Sequence, residues 1–553
     1  MLSVMEWFSN HGRNRELRVS GTNDETTGAP PGDSPGRNGR GPARASTAVT
    51  RRRRIVAGSV ATFVVCSVGA IAVPIGAASA AGYDPASDLH SMRAVTVNTG
   101  ATAWWNAGYT GRGVDVAVID SGVSPVAGLN AAGKVVYGPD LSLESQSPNL
   151  RNMDTFGHGT FMAGLIAGHD SSLTTPYANA PATAYRGMAP DARIVSLKVA
   201  TADGGTDVTQ VIAAIDWVVQ HRNDNGMNIR VLNLSYGTTT TQAAGIDPLS
   251  YAAEQAWKHG IVVVASAGNS GYQVEKGLAS PAYNRYVIGV GGYDTMGTTS
   301  ATDDVLGVYS AGIAHSVDKS PDFVAVGSHL QGLRVPNSYL DAGHPEGRID
   351  SRYFRGSGTS QAAAITSGTI ALVLQKYPNL SPDQVKQFIA TNAQLLSGAD
   401  PDYWGRGRIN LAQLATVTPA AATQVFANAT GTGSIEAARG LDHITTNGVT
   451  LTGEKDIFGK PVNTGTLAAA TATGSSWSGG TWNASTWSGS SWSGSLWLGS
   501  SWSGSSWSGS SWSGSSWSGS TWSGSSWSGS SWSGSSWSGS SWSGSSWSGG
   551  TWT

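Results

Sequence analysis

The chain has 553 residues, enough for several domains and for a core of ordinary size. Its formal net charge is −2 and only 13% of its residues are charged, which argues against nucleic acid or acidic substrates as partners. A single cysteine, Cys66, excludes a disulfide framework within the chain.

Residues 1–54 are polar and of low complexity. Pro30-Pro31, several glycines and ten arginines against five acidic residues predict disorder. Arg51 to Arg54 then precede Ile55 to Ala81, a run without a charge. This reads as the basic and apolar regions of a secretory signal, with Ala78-Ser79-Ala80 as a small-residue cleavage site. The alternative is a retained membrane anchor over 55–81, since the run is long enough to span a bilayer. Pro74 and the Ala-rich end favour cleavage. Cleavage after Ala80 removes ten arginines and five acids. From 34 basic and 36 acidic residues, 24 and 31 then remain, a net charge of −7. The exported protein is then mildly acidic and cysteine-free.

Residues 98–416 read as alternating strands and helices. Val114 to Ile119 is an apolar run feeding the turn Asp120-Ser121-Gly122. Gly157-His158-Gly159-Thr160 opens a helical stretch, Phe161 to Ala167. Arg193 to Val199 is a strand, and Asp207 to Gln220 an amphipathic helix. Ile229 to Leu234 is a strand, Leu249 to His259 a helix, and Ile261 to Ala265 a strand that runs into Ser266-Ala267-Gly268-Asn269. Tyr286 to Gly291 is a further strand. Gly356 to Ser360 leads into the apolar helix Ala362 to Leu374. Ser381 caps a last helix that has Pro382 at its first position and runs to about Ala393. Strands apolar throughout, alternating with helices, predict an α/β fold: a mostly parallel sheet with helices on both faces. Such sheets gather functional groups where strands end at their carboxyl edge, and Asp120 and Asn269 both follow strands in this way.

The chemistry follows from three residues. Ser360 stands at a helix start after two glycines, where N–H groups and the helix dipole favour a developing anion. Many helices simply begin this way, and Ser357 and Thr359 also suit plain caps. A serine nucleophile needs a base with a pKa near neutrality, and His158 lies between glycines at another helix start. An acid should hold that imidazole in one tautomer, and Asp120 ends a buried strand. Each residue alone has an ordinary structural reading; their joint occurrence in the order Asp, His, Ser does not.

Asp120-Ser121-Gly122, Gly157-His158-Gly159-Thr160 and Gly358-Thr359-Ser360 resemble the three catalytic motifs of the subtilisin-like serine proteases, the subtilases, in that family's chain order. Gly187 to Ala192, Asn233 to Gly237, Ala265 to Asn269, Ser280-Pro281-Ala282 and Pro321 to Ala325 are similar to framework segments of the same family. The resemblance implies a subtilisin-like fold and a secreted serine endopeptidase that acts on protein or peptide substrates. It implies Ser360 as nucleophile, His158 as base, Asp120 as its orienting acid and Asn269 as oxyanion donor. Ser235, Tyr236, Gly237, Ser266, Ala267 and Gly268 would line the substrate cleft. No cofactor is implied. Subtilases often bind calcium, yet no acidic loop here has a spacing that marks a metal site. The chain departs from the family at Gln361 and Ala364, where Met and Pro are usual, and at Val326 in place of a proline. The twenty or so residues between Ala81 and Ala101 are too few for the folding pro-domain that many subtilases carry.

Residues 417–475 change to Ala, Thr and Gly, a linker or small accessory region. Residues 476–553 are a pentad repeat, mostly Ser-Ser-Trp-Ser-Gly and without any charge, in which 16 tryptophans fall five apart from Trp477 to Trp552. The plain reading is a flexible chain with spaced aromatic rings. A solenoid with five residues per side would instead stack the tryptophans in columns. Repeated weak aromatic contacts would give avidity for a cell wall or a membrane surface. Similar tails recur, by resemblance, in actinobacterial subtilases. Two classes of function stand: a secreted serine endopeptidase, and a silent subtilase-fold protein whose Trp tail binds a surface. The complete set Asp120, His158, Asn269 and Ser360 favours the first.

Overall fold

The computed structural model describes residues 82–145, 147–271, 277–313, 319–446 and 449–486, together with short strands between 507 and 548. The expected leader, 1–54, and the apolar segment, 55–81, lie outside the described residues. Among the described residues no helix is long and apolar enough to cross a membrane.

An N-terminal arm carries α1 (Met92–Asn98) and α2 (Ala101–Asn106). The sheet is then built by β1 (Asp115–Asp120), β2 (Val135–Asp140), β3 (Arg193–Lys198), β4 (Ile229–Leu234), β5 (Val262–Ser266) and β6 (Ile288–Asp294). Interleaved with them are α3 (His158–Ala167), α4 (Val208–His221) and α5 (Pro248–Lys258). The six strands run parallel in the order β2-β3-β1-β4-β5-β6. On β6 lie an antiparallel β7 (Val305–Leu306) and a parallel β8 (Phe323–Val326). β1, β5 and most of β4 are buried at every position, as continuous apolar runs with both faces covered should be. Each fully buried Val, Leu or Ile stabilises the body by roughly 1.5–3 kcal/mol. β2 has no such run. It is a half-exposed edge strand in which Val135-Val136-Tyr137 is cut short by Gly138-Pro139, so its strand signal is brief.

After β9 (Leu330–Leu333), α6 (Tyr339–Gly343) and β10 (Tyr353–Gly356) comes α7 (Thr359–Lys376). Thr359 to Leu374 are all buried. Its small Ala, Gly and Ser side chains let it lie against β4, β5 and β6 without an amphipathic stripe. Then follow α8 (Pro382–Thr391), α9 (Pro401–Trp404) and α10 (Leu411–Thr416). Ser381 caps α8 as its sequence predicts, in a reciprocal box with Gln384, and Asp207 does the same for α4 with Gln210.

Chain connections leave β1 and β4 in opposite directions across the sheet. Their carboxyl ends therefore flank the crevice where such folds bind ligands. Asp120 ends β1, and Ser235 follows β4.

The chain past 416 is packed, not loose. It runs across α8, where Gln424 N–H donates to Asp383 at 2.9 Å, and forms α11 (Ile435–Arg439), a small hairpin of β11 (Thr445–Thr446) and β12 (Val449–Thr450), and α12 (Thr464–Ala472). The first pentads continue this body as an antiparallel meander of β13 (Trp477–Ser478), β14 (Thr481–Trp482) and β15 (Ser485–Thr486). Both indoles reach α4: Trp477 donates to Ala213 O at 2.8 Å and Trp482, fully buried, to Asp216 Oδ2 at 2.9 Å. Packing thus extends to Thr486, past the start of the repeat. Further along, strands pair in parallel with partners twenty residues on, Trp507 with Trp527, Trp512 with Trp532, Trp517 with Trp537 and Trp522 with Trp542, four pentads per step.

In a Ser360→Ala background, which prevents self-digestion, truncation after Ser475 should lower Tm, whereas truncation after Thr486 should not; Trp482→Ala should cost about 3–5 kcal/mol. Burial pushes the Asp216 carboxyl up to about 6 from an ordinary 3.8, against hydrogen bonds from Trp482, Ser476 and Thr471. The folded form therefore holds this proton more tightly than the unfolded chain does. The stability it adds is full in acid and is lost as pH rises through about 6. Asp216→Asn should flatten the fall in Tm between about pH 4 and about pH 6, measured by calorimetry; an unchanged slope there would contradict this.

Candidate active site

The site begins with the turn that ends β1. The Asp120 carboxylate accepts the Ser121 N–H at 2.7 Å, and Ser121 Oγ reaches the neighbouring carboxylate of Asp154 at 2.8 Å. α3 starts hard against this turn. A Cβ at Gly159 would sit 2.2 Å from Gly122 O, so only glycine allows the approach. Gly157 adopts φ 104° and puts His158 at the first helical position. His158 Nδ1 then lies 2.8 and 3.0 Å from the two Asp120 oxygens. A carboxylate only accepts, so in the neutral ring Nδ1 carries the proton and Nε2 holds the lone pair.

Two buried side chains brace this pair. Asp154 accepts from Gly157 N–H at 2.6 Å and Thr160 N–H at 2.7 Å, which ties the start of α3 to Ser121. Burial pushes the Asp154 carboxyl up despite these hydrogen bonds. Lys198 ends β3 beside Asp120; its ammonium donates to Ser121 O and Met153 O, both at 2.8 Å, and pairs with Glu144 at 3.0 Å. It pins together the two loops that carry Asp120 and His158. The imidazole and carboxylate are 11% and 7% exposed, so little water screens them. Burial opposes the imidazolium, but the Asp120 charge and hydrogen bond, with Asp154 behind, raise the His158 pKa above its ordinary value.

Ser360 is the second residue of α7, which packs along α3. Its Oγ lies 3.4 Å from Ser235 O, and Ser235 Oγ donates to Ser360 O at 3.1 Å. Asn233 and Ser367 extend these bonds, joining the end of β4 to α7. Asn269 follows β5. Its Oδ1 accepts both the N–H and the hydroxyl of Thr359, each at 2.9 Å, which fixes Nδ2 as the donor end of the amide. Gln361 folds back over the glycine loop, its amide lying where Cβ atoms at Gly356 and Gly358 would go. With alanine at 364, α7 runs unbroken from Thr359.

A cavity of about 1240 Å³ opens at Ser360 and Asn269. Ser235, Tyr236, Gly237, Ser266 and Gly268 are among the residues that line it. Ala267 is fully buried behind the wall, its backbone bonded to Val290 and Ala279. Val425, Phe426 and Leu441, from the segment past 416, line the same cavity, and no local pattern marked them. Asp154 and Thr359 also escaped sequence reasoning. Asp154 had one usable signal, an acid four residues before His158. Among the described residues no group of three or more His, Cys, Asp or Glu side chains could hold a metal ion.

The fold and this constellation define the class of serine-type endopeptidases with a subtilisin-like body. A family model described as the subtilase family matches residues 111–433. The serine protease AprX of Bacillus subtilis (strain 168) is 35% identical over 305 residues, 54% of this chain and 66% of that protein. Subtilisin DY of Bacillus licheniformis is 31% identical over 304 residues, 55% of this chain and 91% of that protein. A solved structure of a cold adapted subtilisin-like serine proteinase aligns at 26% identity over 55% of this chain and 88% of its own, with a TM-score of 0.39. The chain belongs to the subtilase family.

Asp154→Asn should lower kcat on the order of 10- to 100-fold through misplacement of the imidazole, with little change in KM. The acid limb of kcat/KM, where His158 gains its proton, should also move to lower pH, because one of the charges that raises the His158 pKa is gone. A pH–rate profile with an unmoved limb would refute this role.

Proposed function

We propose that the protein is exported and hydrolyses peptide bonds in extracellular proteins, with Ser360 as nucleophile, His158 as general base and acid, and Asp120 as its orienting partner. The observation that carries this reading is the buried contact of His158 Nδ1 with Asp120, 2.8 Å, at the helix start that packs beside α7. With Nδ1 protonated, Nε2 takes the Ser360 proton as Oγ attacks the scissile carbonyl. Asp120 stabilises the imidazolium that forms. The Asn269 amide and the Ser360 N–H receive the oxyanion. His158 then returns its proton to the leaving amine, the acyl-enzyme forms, and water repeats the sequence.

Asn269→Ala should lower kcat on the order of 10²–10³-fold, the loss typical of removing one oxyanion donor. Thr359→Val, which keeps shape but removes a hydrogen bond to the Asn269 amide, should give a smaller loss of the same kind. Ser360→Ala should abolish casein hydrolysis and labelling by a phosphonofluoridate; equal rates in both proteins would overturn the reading.

The uncharged Trp repeat beyond Thr486 is proposed to hold the enzyme at a cell wall or membrane surface through many weak aromatic contacts. Because Trp477 and Trp482 belong to the packed body, the fair test is truncation after Thr486. It should release the enzyme from cell walls and leave casein hydrolysis unchanged. Full wall retention after this truncation would exclude the tail as the anchor.

A further inference from the structure

The family match begins at residue 111, yet an arm ahead of it, 83–92, is tied to the turn that holds the Ser360 loop. The arm lies on β9, β10 and the end of β6. His90 O accepts the Gln331 N–H at 3.1 Å, and Gln331 Oε1 accepts the Met92 N–H at 3.0 Å. Asp88 accepts from the Tyr83 hydroxyl at 2.6 Å and pairs with Arg355 at 2.7 Å. Between these contacts two imidazoles meet one carboxylate. Asp294 ends β6; its Oδ2 lies 3.3 Å from His329 Nε2 and its Oδ1 lies 3.8 Å from His90 Nε2. The two rings meet edge to face with centroids 5.2 Å apart.

His329 carries this arrangement to the nucleophile. Its backbone is left-handed, φ 58°, a state a histidine keeps only where its surroundings fix it. Three bonds fix it here. Its imidazole holds Asp294, its carbonyl accepts Arg355 Nη1 at 2.8 Å, and its N–H donates to Ser357 Oγ at 2.8 Å. Ser357 belongs to the glycine loop, three residues before Ser360. Gly358 N–H donates to Gly327 O at 2.9 Å, so the loop hangs on the turn 327–329 at two points. A Cβ at Gly327 would sit 2.7 Å from Gly358 O, which leaves no slack between turn and loop.

The charges support the same reading. Burial opposes ionisation of Asp294, yet hydrogen bonds from His329 and His90, with the Met296 N–H, hold its carboxyl well below the usual range. The Asp294 hydrogen bond raises the His329 pKa, against burial and the Arg355 charge. The other charged groups nearby are engaged: Arg355 with Asp88, and Asp304 with Arg408 at 3.0 Å.

We propose that the N-terminal arm and the clasp of His90, Asp294 and His329 set the position of the glycine loop that presents Ser360, which makes Asp294 and His329 positioning residues for acyl transfer. The inference rests on the peptidase reading above and adds to it a network that begins outside the family body. The attacking oxygen must be held at about 3–3.5 Å from the scissile carbonyl, so a turn that drifts carries the loop out of reach.

The test uses the full chain carrying His329→Gly, Asp294→Asn or His90→Ala. Glycine at 329 keeps the left-handed backbone and both main-chain bonds and removes only the imidazole. A turn that acts through its backbone alone would leave kcat unchanged. The clasp predicts that kcat on a short peptide, and the rate of phosphonofluoridate labelling, fall about 3- to 10-fold with little change in KM. Asp294→Asn should show the same loss, and joining it to His329→Gly should add nothing, because both break one contact. His90→Ala should give a smaller loss of the same kind. Rates are read well below the Tm of each variant, and if Asp294→Asn fails to fold the other two decide. Unchanged kcat and labelling in His329→Gly and His90→Ala, or a loss carried by KM alone, would overturn the clasp only. Absence of labelling in every protein, the unmodified chain included, would overturn the peptidase reading and the clasp with it.

Discussion

The buried contact between Asp120 and His158 is the constraint around which the rest is arranged. A carboxylate and an imidazole taken out of water are each unfavourable alone, and they are tolerated here because each satisfies the other. Their arrangement requires a strand that ends at Asp120 and a helix that starts at His158, with glycine at 159 so that the two backbones touch. Asp154 and Lys198 follow from the same need: one gathers the N–H groups at the helix start, the other the carbonyls of both loops. The parallel sheet supplies the place, where β1 and β4 send the chain in opposite directions. The glycine loop and α7 then bring Ser360 to the end of β4, and Thr359 orients Asn269.

Much of the molecule lies outside the family body, which spans residues 111–433. Residues past 433 are joined to it by a buried ion pair at Arg439 and by two indoles on α4. The repeat's first tryptophans, Trp477 and Trp482, are part of the core, so the surface role proposed above falls to later pentads. The anchor pentads differ from the later ones: Gly479-Gly480 and Asn483-Ala484, all with positive φ, form the two-residue turns of the antiparallel meander, whereas strands further along pair in parallel, twenty residues apart.

Much of this was legible in the residues themselves. The apolar runs ending at Asp120 and Leu234 read as buried strands, and the caps at Asp207 and Ser381 read as helix starts, because those signals are local. Strand ends were misplaced by a residue or two where a polar residue continues the ladder, as Asp120 and Ser266 do. β2 was missed because Gly138-Pro139 cuts its strand signal short. The motifs around Asp120, His158 and Ser360 were legible because they are short and ordered. Asp154 and Thr359 were not: an acid that braces a helix and a threonine that turns an amide acquire their meaning only from partners distant in the chain. Gln361 and Ala364, which depart from the family pattern, leave the helix and its serine in place.

The central claim is electrostatic and can be measured at one nucleus. In Ser360→Ala protein labelled with 15N at histidine, the His158 resonance should titrate above the ordinary imidazole value of about 6.5. In the same protein carrying Asp120→Asn it should fall by a unit or more, since burial would then act with less to oppose it. A His158 pKa that is unchanged or higher without the carboxylate would contradict the account.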